Sequence, residues 1–430
     1  MPEASEQEER VDPWHVREGV PQVLAGERGE GLLGGLDEVD TRTVTEVLQS
    51  LRADGRCGAS RLPPGLCDSV STGASRSAGR DPPTGAWSSC NVERFLDDAR
   101  DERMRLPAVV AHADWGTAPG KRQVAVAVRQ GDGRYLAGPA RRVGPDGGVL
   151  QRMGVPGERP PGAVVLGFDF PIGLPRRYAE LVGLVDFRSA LPGFGSGEWA
   201  DFYRVAASRE EIGLRRPFYP ATPGRRGDRA RHHLYEALGL DGPALLRRCE
   251  RPGAEALFWT LGGRQVGKAA IDGWREVLAP ALRDGRQDVA LWPFDGPLGQ
   301  LVEQGALVAA ETYPREFYGH LGVSFARGPG PAPRSKRRQE DRLGNAAALL
   351  AWTDKTGTVL APALRDAIAG GFGPGGGGED RFDSVVGLFG MLNVVLGRRD
   401  PGVPAGDEAV RRVEGWILGR SPVSDRRSPV

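Results

Sequence analysis

The chain has 430 residues, room for two or three domains or one large domain with insertions. Glycine (63) and proline (35) together stop just short of the roughly 25–30% that marks wholesale disorder, and 40% hydrophobic residues suffice for a core. Lys and Arg (57) nearly cancel Asp and Glu (56), leaving net charge +1, which excludes a histone-like polyanion coat but leaves room for a local basic groove.

Residues 1–106 read as an N-terminal extension. Its acidic start, MPEASEQEER, has no secretory-signal character, and a cytoplasmic location is the expectation. The spacing of Val44, Val47, Leu48 and Leu51 predicts one amphipathic helix, which Gly55 stops. Residues 56–90 are rich in Gly, Ser, Arg, Asp and Pro, a linker composition, and Asn91 is placed to cap a short helix over NVERFLDDARDERMR. No run reaches the ~18 apolar residues of a membrane span; the longest candidate, 385–396, is interrupted by Gly387, Gly390 and Asn393, so no membrane partner is expected. Cys57, Cys67, Cys90 and Cys249 form no C-x-x-C pair, and five histidines cannot build a His-rich metal site. Any metal must be held by carboxylates, which favours Mg²⁺ or Mn²⁺.

From Pro107 the texture changes, and residues 107–420 read as one α/β domain followed by a polar tail, 421–430. PAVVAHADWG predicts a strand, RQVAVAVRQ a second, GDG at 131–133 a hairpin turn and RYLAGPARRV a third: an antiparallel three-strand meander. The near-continuous apolar run 163–170 predicts a buried parallel strand, ended by Pro171 and Gly173. An inserted helical subdomain is expected over about 176–300, with a further strand possible in DVALWPFDG, before the strand GALVAAETYP. A helix running through LGNAAALLAW follows, then a slack glycine loop, GFGPGGGG, and a final helix over EDRFDSVVGLFGMLNVVLG. This order is that of a ribonuclease H-like mixed sheet flanked by helices.

Acidic residues fall where such a sheet brings chemistry together. Asp114 lies on the first strand, Asp169 at the C-terminal end of the central strand and Glu311 near the end of the next; Asp380 and Asp383 sit three apart at the start of the last helix, on one side of it. Carboxylates converging on one sheet edge suit two divalent ions about 3.5–4 Å apart, able to activate water and stabilise a leaving oxygen in phosphodiester hydrolysis. Asp295 in WPFDG reads as a turn residue, and His112 fits no pattern beyond sharing a strand face with Asp114.

The motifs AHADWG, GFDFPIGLP, WPFDG, AETYPREFYGHLG, SKRRQEDR, EDRFDSVVGLFGML and EGWILG, in that order over about 107–420, resemble the predicted-nuclease family with a ribonuclease H fold known as domain-of-unknown-function family 429. The resemblance implies that fold and metal-dependent phosphodiester chemistry on DNA or RNA. It carries the acidic role onto Asp114, Asp169, Glu311 and Asp383, with Asp380 as partner of Asp383. Lys336, Arg337, Arg338 and Arg342 are the candidates to face substrate phosphates. A second basic stretch holds Arg204, Arg209, Arg215, Arg216, Arg225, Arg226, Arg229 and Arg231 interleaved with Phe202, Tyr203, Phe218 and Tyr219, a mixture able to grip phosphates and stack bases, or simply a solvated face. GGRQVGKA approaches a phosphate-binding P-loop, but Ala269 replaces the hydroxyl that would hold Mg²⁺. Two alternatives to a nuclease remain: a phosphotransferase of the sugar-kinase and actin type, which wants a second meander, and a non-catalytic nucleic-acid-binding or assembly protein.

Overall fold

The structure, a computed structural model, describes residues 105–143, 161–221, 228–261, 265–284, 289–326 and 334–422. The expected N-terminal helices and linker, and all but the first residues of the tail, lie outside the described residues. The meander forms as its alternation predicts. Strand β1 (Val109–Asp114) pairs antiparallel with β2 (Gln123–Arg129) across a single 3-10 turn, and β2 pairs with β3 (Tyr135–Ala137) across a turn closed by the Gln130 N–H on the Arg134 carbonyl. The expected third strand breaks at Gly138-Pro139, where proline offers no N–H to the ladder, and resumes as β4 (Arg141–Arg142), also on β2.

The apolar run after Gly162 becomes β5 (Val164–Phe168), parallel to β1. Further parallel strands β6 (Val289–Trp292) and β7 (Leu307–Glu311) extend that side, and a short β8 (Val359–Leu360), not expected from the sequence, closes the other. The sheet order is β6-β7-β5-β1-β2-β3-β8. The sheet is therefore mixed: an antiparallel meander joined edge-on to parallel strands whose C-terminal ends point the same way.

Eleven described helices flank it: α1 (Arg176–Leu181), α2 (Phe187–Ala190), α3 (Asp228–Leu238), α4 (Val266–Gly273), α5 (Ala279–Asp284), α6 (Leu298–Glu303), α7 (Pro314–Leu321), α8 (Gln339–Leu343), α9 (Ala346–Thr356), α10 (Pro362–Ala369) and α11 (Gly375–Val395). The insertion is helical and turn-rich as expected, yet it does not stand apart. Its Phe187, Phe194, Phe202 and Trp274 pack in one core with Phe168 and Phe170 on one face of the sheet, and its last segment supplies the edge strand β6.

Helix α11 covers the other face. Phe382 through Val395 are buried on every side of it, the pattern of a core helix. The glycine run expected as a loop is in fact its first turn. Two later glycines let it sit close: a methyl on Gly387 would overlap the His112 ring of β1, and one on Gly390 would overlap the Phe317 ring of α7. Ordinarily Gly→Ala inside a helix gains up to about 1 kcal/mol of propensity. Here overlap with a ring fixed in the core costs about 1–3 kcal/mol. Gly390→Ala should therefore lower stability in urea denaturation; a stabilised variant would show that α11 is not held against α7.

Candidate active site

The register decides which side chains share a face. Val110 lies in the core beneath α11, and strand alternation puts His112 and Asp114 on that same side. Ala113 of β1 is level with Phe168 of β5, and Phe168 with Glu311 of β7. One residue further along, Asp114, Asp169 and Thr312 therefore form a row at the C-terminal ends of the parallel strands, facing α11. Asp169 is fixed there by the Trp115 N–H, which donates to its Oδ1 at 2.6 Å. Just over two turns into α11, Asp383 is buried on the side of the row, with Asp380 partly exposed about one helical turn nearer the N-terminus.

These acids lie near enough to feel one another's charge. Burial pushes the Asp114 carboxyl well above the carboxylate range, and the charges of Asp169, Asp383 and Asp380 push the same way; its side chain also shares a hydrogen bond with Asp169. Asp383 is pushed up to about 6, by burial and by Asp169 and Glu379, against the opposing pull of Lys336. Burial and Glu379 also raise Asp380, with Lys121 and Lys336 opposing. The Lys336 ammonium hydrogen-bonds Asp383 Oδ2 and lies 3.3 Å from Glu379 Oε1. Burial disfavours its charge, but Asp383, Tyr318 and Glu379 more than offset this and hold its pKa above that of an ordinary lysine.

Beneath the acids lies a polar floor that sequence reasoning left out. His112 is fully buried, its ring on Gly387; burial lowers its pKa to about 4, with Asp169 and the Ser384 backbone pulling the other way. Ser384 Oγ, Thr312 Oγ1 and Asp383 Oδ1 are buried without a hydrogen-bond partner among the described residues. The one available signal was the strand period, which pairs His112 with Asp114.

Other expected site residues stand elsewhere. Glu311 is not part of the acid set: alternation turns it to the opposite face, where Arg247 grips it with two hydrogen bonds of 2.6 and 2.7 Å and the Ile172 N–H adds a third at 2.7 Å. Arg342 is buried, and its guanidinium ties together the carbonyls of Lys336, Gly371 and Gly373, so it braces the loop that carries Lys336 rather than facing phosphate. Arg338 pairs with Asp341 at 2.6 Å, whereas Arg337 is exposed. Asp295 is the turn residue expected, accepting from the Leu291 N–H and pairing with Arg188.

The second arginine stretch is neutralised where it is described: Arg204 pairs with Asp201, Arg209 with Glu236, Arg215 with Glu198, Arg216 with Glu211 and Arg231 with Glu255. Phe202, Phe218 and Tyr219 are core residues, not stacking platforms. Arg225, Arg226 and the Arg229 side chain lie outside the described residues. In the P-loop-like segment, Gly267 packs α4 against the carbonyls of Trp259 and Leu257.

Among the described residues no three His, Cys, Asp or Glu side chains are grouped as a ready-made metal cage. The donor chemistry nevertheless suits a hard cation: Asp114 and Asp169 are in contact at a solvent-reachable sheet end, and Asp383 Oδ1 is buried with no hydrogen-bond partner among the described residues. Mg²⁺ commonly binds through one or two carboxylates with waters and phosphate oxygens completing its shell. No described helix is long and apolar enough to cross a membrane. No protein-family model, curated protein or solved structure matches the chain.

Two outcomes follow from these placements. Glu311→Gln should lower stability by about 3 kcal/mol, the scale of breaking a buried ion pair; a denaturation midpoint unchanged from the parent would return Glu311 to the list of candidate catalytic groups. For His112 the folded pKa lies below the unfolded one, so its stabilising contribution is complete above about pH 6.5 and is lost as pH falls through about 4. The stability advantage of the parent over His112→Gln should therefore shrink by about 3 kcal/mol between pH 6.5 and 4. A pH-independent difference would mean that the ring is solvated.

Proposed function

We propose that the protein is a metal-dependent hydrolase of phosphodiester bonds in nucleic acid, on a ribonuclease H-like sheet of the kind the predicted-nuclease family implies. The observation that carries this reading is the convergence of Asp114, Asp169 and Asp383 on one face at one end of the parallel strands. The strand order β3-β2-β1-β5-β7, with its meander followed by parallel strands, supports the fold. A single described meander is also less than the duplicated core that a sugar-kinase-type phosphotransferase wants.

In this reading Asp114 and Asp169 would hold a Mg²⁺ or Mn²⁺ ion, with Asp383 Oδ1, which has no hydrogen-bond partner among the described residues, as a further donor. When bound, such an ion supplies Lewis-acid stabilisation of phosphoryl charge. Lys336 keeps Asp383 oriented. The exposed Lys121 and Arg337 offset the phosphates of the approaching strand, which the acids would otherwise repel. Asp380, nearer solvent and with its pKa raised, accepts the proton released as water attacks phosphorus.

Asp114→Asn keeps the side-chain shape and removes the charge that a divalent ion requires. Cleavage of labelled single-stranded, duplex or hybrid substrates in Mn²⁺ or Mg²⁺ should fall by at least ~100-fold, while nucleic-acid affinity holds or rises. The fold should survive, since the variant loses a carboxyl crowded by like charges. Cleavage that persists in the variant, or that ignores chelator, rules the mechanism out. ATP turnover without cleavage in the parent identifies a phosphotransferase, and binding with neither activity identifies a silent binder.

A further inference from the structure

A site that works with two divalent ions needs carboxylate oxygens free on both sides of a ~4 Å metal pair. Here one side is already taken. The Lys336 ammonium bonds Asp383 Oδ2 and lies beside Glu379, so the positive charge that faces these two carboxylates comes from the chain itself. The loop that carries Lys336 is braced in turn, because the Arg342 guanidinium donates to the carbonyls of Lys336, Gly371 and Gly373. What remains open is the contacting pair Asp114 and Asp169 together with Asp383 Oδ1, the oxygen that the lysine does not hold, which is buried with no hydrogen-bond partner among the described residues.

We propose that Lys336 is the built-in second cation of the site, which therefore takes one divalent ion and not two. The inference rests on the hydrolase reading above and refines it. An ammonium has three N–H donors. Asp383 takes one and Glu379 lies 3.3 Å away as an ion-pair partner, which leaves a donor for a phosphate oxygen of the substrate, so Lys336 both orients Asp383 and contacts the strand. A lysine in this role cannot dissociate, so the charge facing Asp383 is present before any metal or substrate arrives.

The test counts ions. The full chain is titrated with Mn²⁺ and free ion is measured by electron paramagnetic resonance, for the parent, Lys336→Met, Lys336→Arg and Asp114→Asn. One ion per chain is expected in the parent and in Lys336→Arg, and none at comparable affinity in Asp114→Asn. In Lys336→Met, removing a fixed positive charge should tighten the first ion roughly tenfold or more and admit a second. Mn²⁺ should also raise the melting temperature of Lys336→Met by more than it raises that of the parent, because the ion replaces the lost partner of Asp383; a lysine serving only as a structural strut gives no such rescue. Two ions in the parent overturn the inference while leaving the hydrolase reading intact. A single ion of unchanged affinity in folded Lys336→Met does the same. No bound ion in the parent overturns both. The parent count stands even if Lys336→Met fails to fold.

Discussion

The close seat of α11 on the sheet is the constraint from which the site follows. The β1–β5 pairing sets Asp114 beside Asp169, but Asp383 comes from a helix far along the chain. They meet because α11 lies one glycine deep against β1 and α7: Gly387 receives the His112 ring and Gly390 the Phe317 ring. A third glycine, Gly167 in β5, leaves room for Met391 and the Thr312 methyl from the same side. Small residues at these crossings exchange helix propensity for proximity. The gain is visible one turn up, where a buried carboxylate reaches the strand-end acids.

Much of this was legible from the chain. The meander, the buried β5, β7 and the final helix each show their period directly, since strands alternate at two residues and α11 is apolar all round. Asp114, Asp169 and Asp383 follow from their places at strand ends and on that helix. What periodicity does not carry is the register between strands, because that depends on which residue of one strand lies level with which residue of the next. Glu311 ends its strand just as Asp114 ends β1, and so looks equivalent. The ladder sets it level with Ala113 and Phe168, one residue short of the acid row, and the alternation then turns it to the face where Arg247 waits. Thr312 holds the place in the row that Glu311 was expected to fill. The splitting of the helix through LGNAAALLAW into α8 and α9, at Gly344 and Asn345, was likewise hidden, since the Asn345 side chain bonds the Ser324 and Asp341 backbones, partners distant in the sequence or across the turn.

The basic residues teach a related lesson. Arginine density marks two segments, but density does not distinguish an arginine with a free face from one with a neighbour already bound. Between Arg204 and Arg231 each described pair closes on a nearby carboxylate, at separations of 2.6–3.0 Å. Most of these pairs are solvent-exposed and worth about 0–1 kcal/mol each. Their main effect is on recognition: they cancel the field that would draw a polyanion to that face. In the segment around Lys336, four cationic residues in sequence divide into four tasks. Lys336 faces the acids, Arg342 braces its loop, Arg338 closes on Asp341, and Arg337 is exposed.

That division explains how so acidic a site is tolerated. Asp114, Asp169, Asp380, Asp383 and Glu379 crowd one sheet end, and burial there raises the pKa of three of them. Unrelieved, this crowding would favour protonation, and a protonated carboxyl is a poor ligand for a cation. Lys336 opposes the shift at the most buried of the acids, Asp383, while Lys121 opposes it at the rim on Asp380. The neutral His112 beneath adds no further positive charge to the floor, because burial keeps it unprotonated down to about pH 4. The compensating cations thus sit at the sides, and at the centre Asp114, raised by burial and by its acidic neighbours, has no cation opposing the shift. In the proposed reading, a divalent ion would supply at that centre the positive charge that Lys336 and Lys121 supply at the sides.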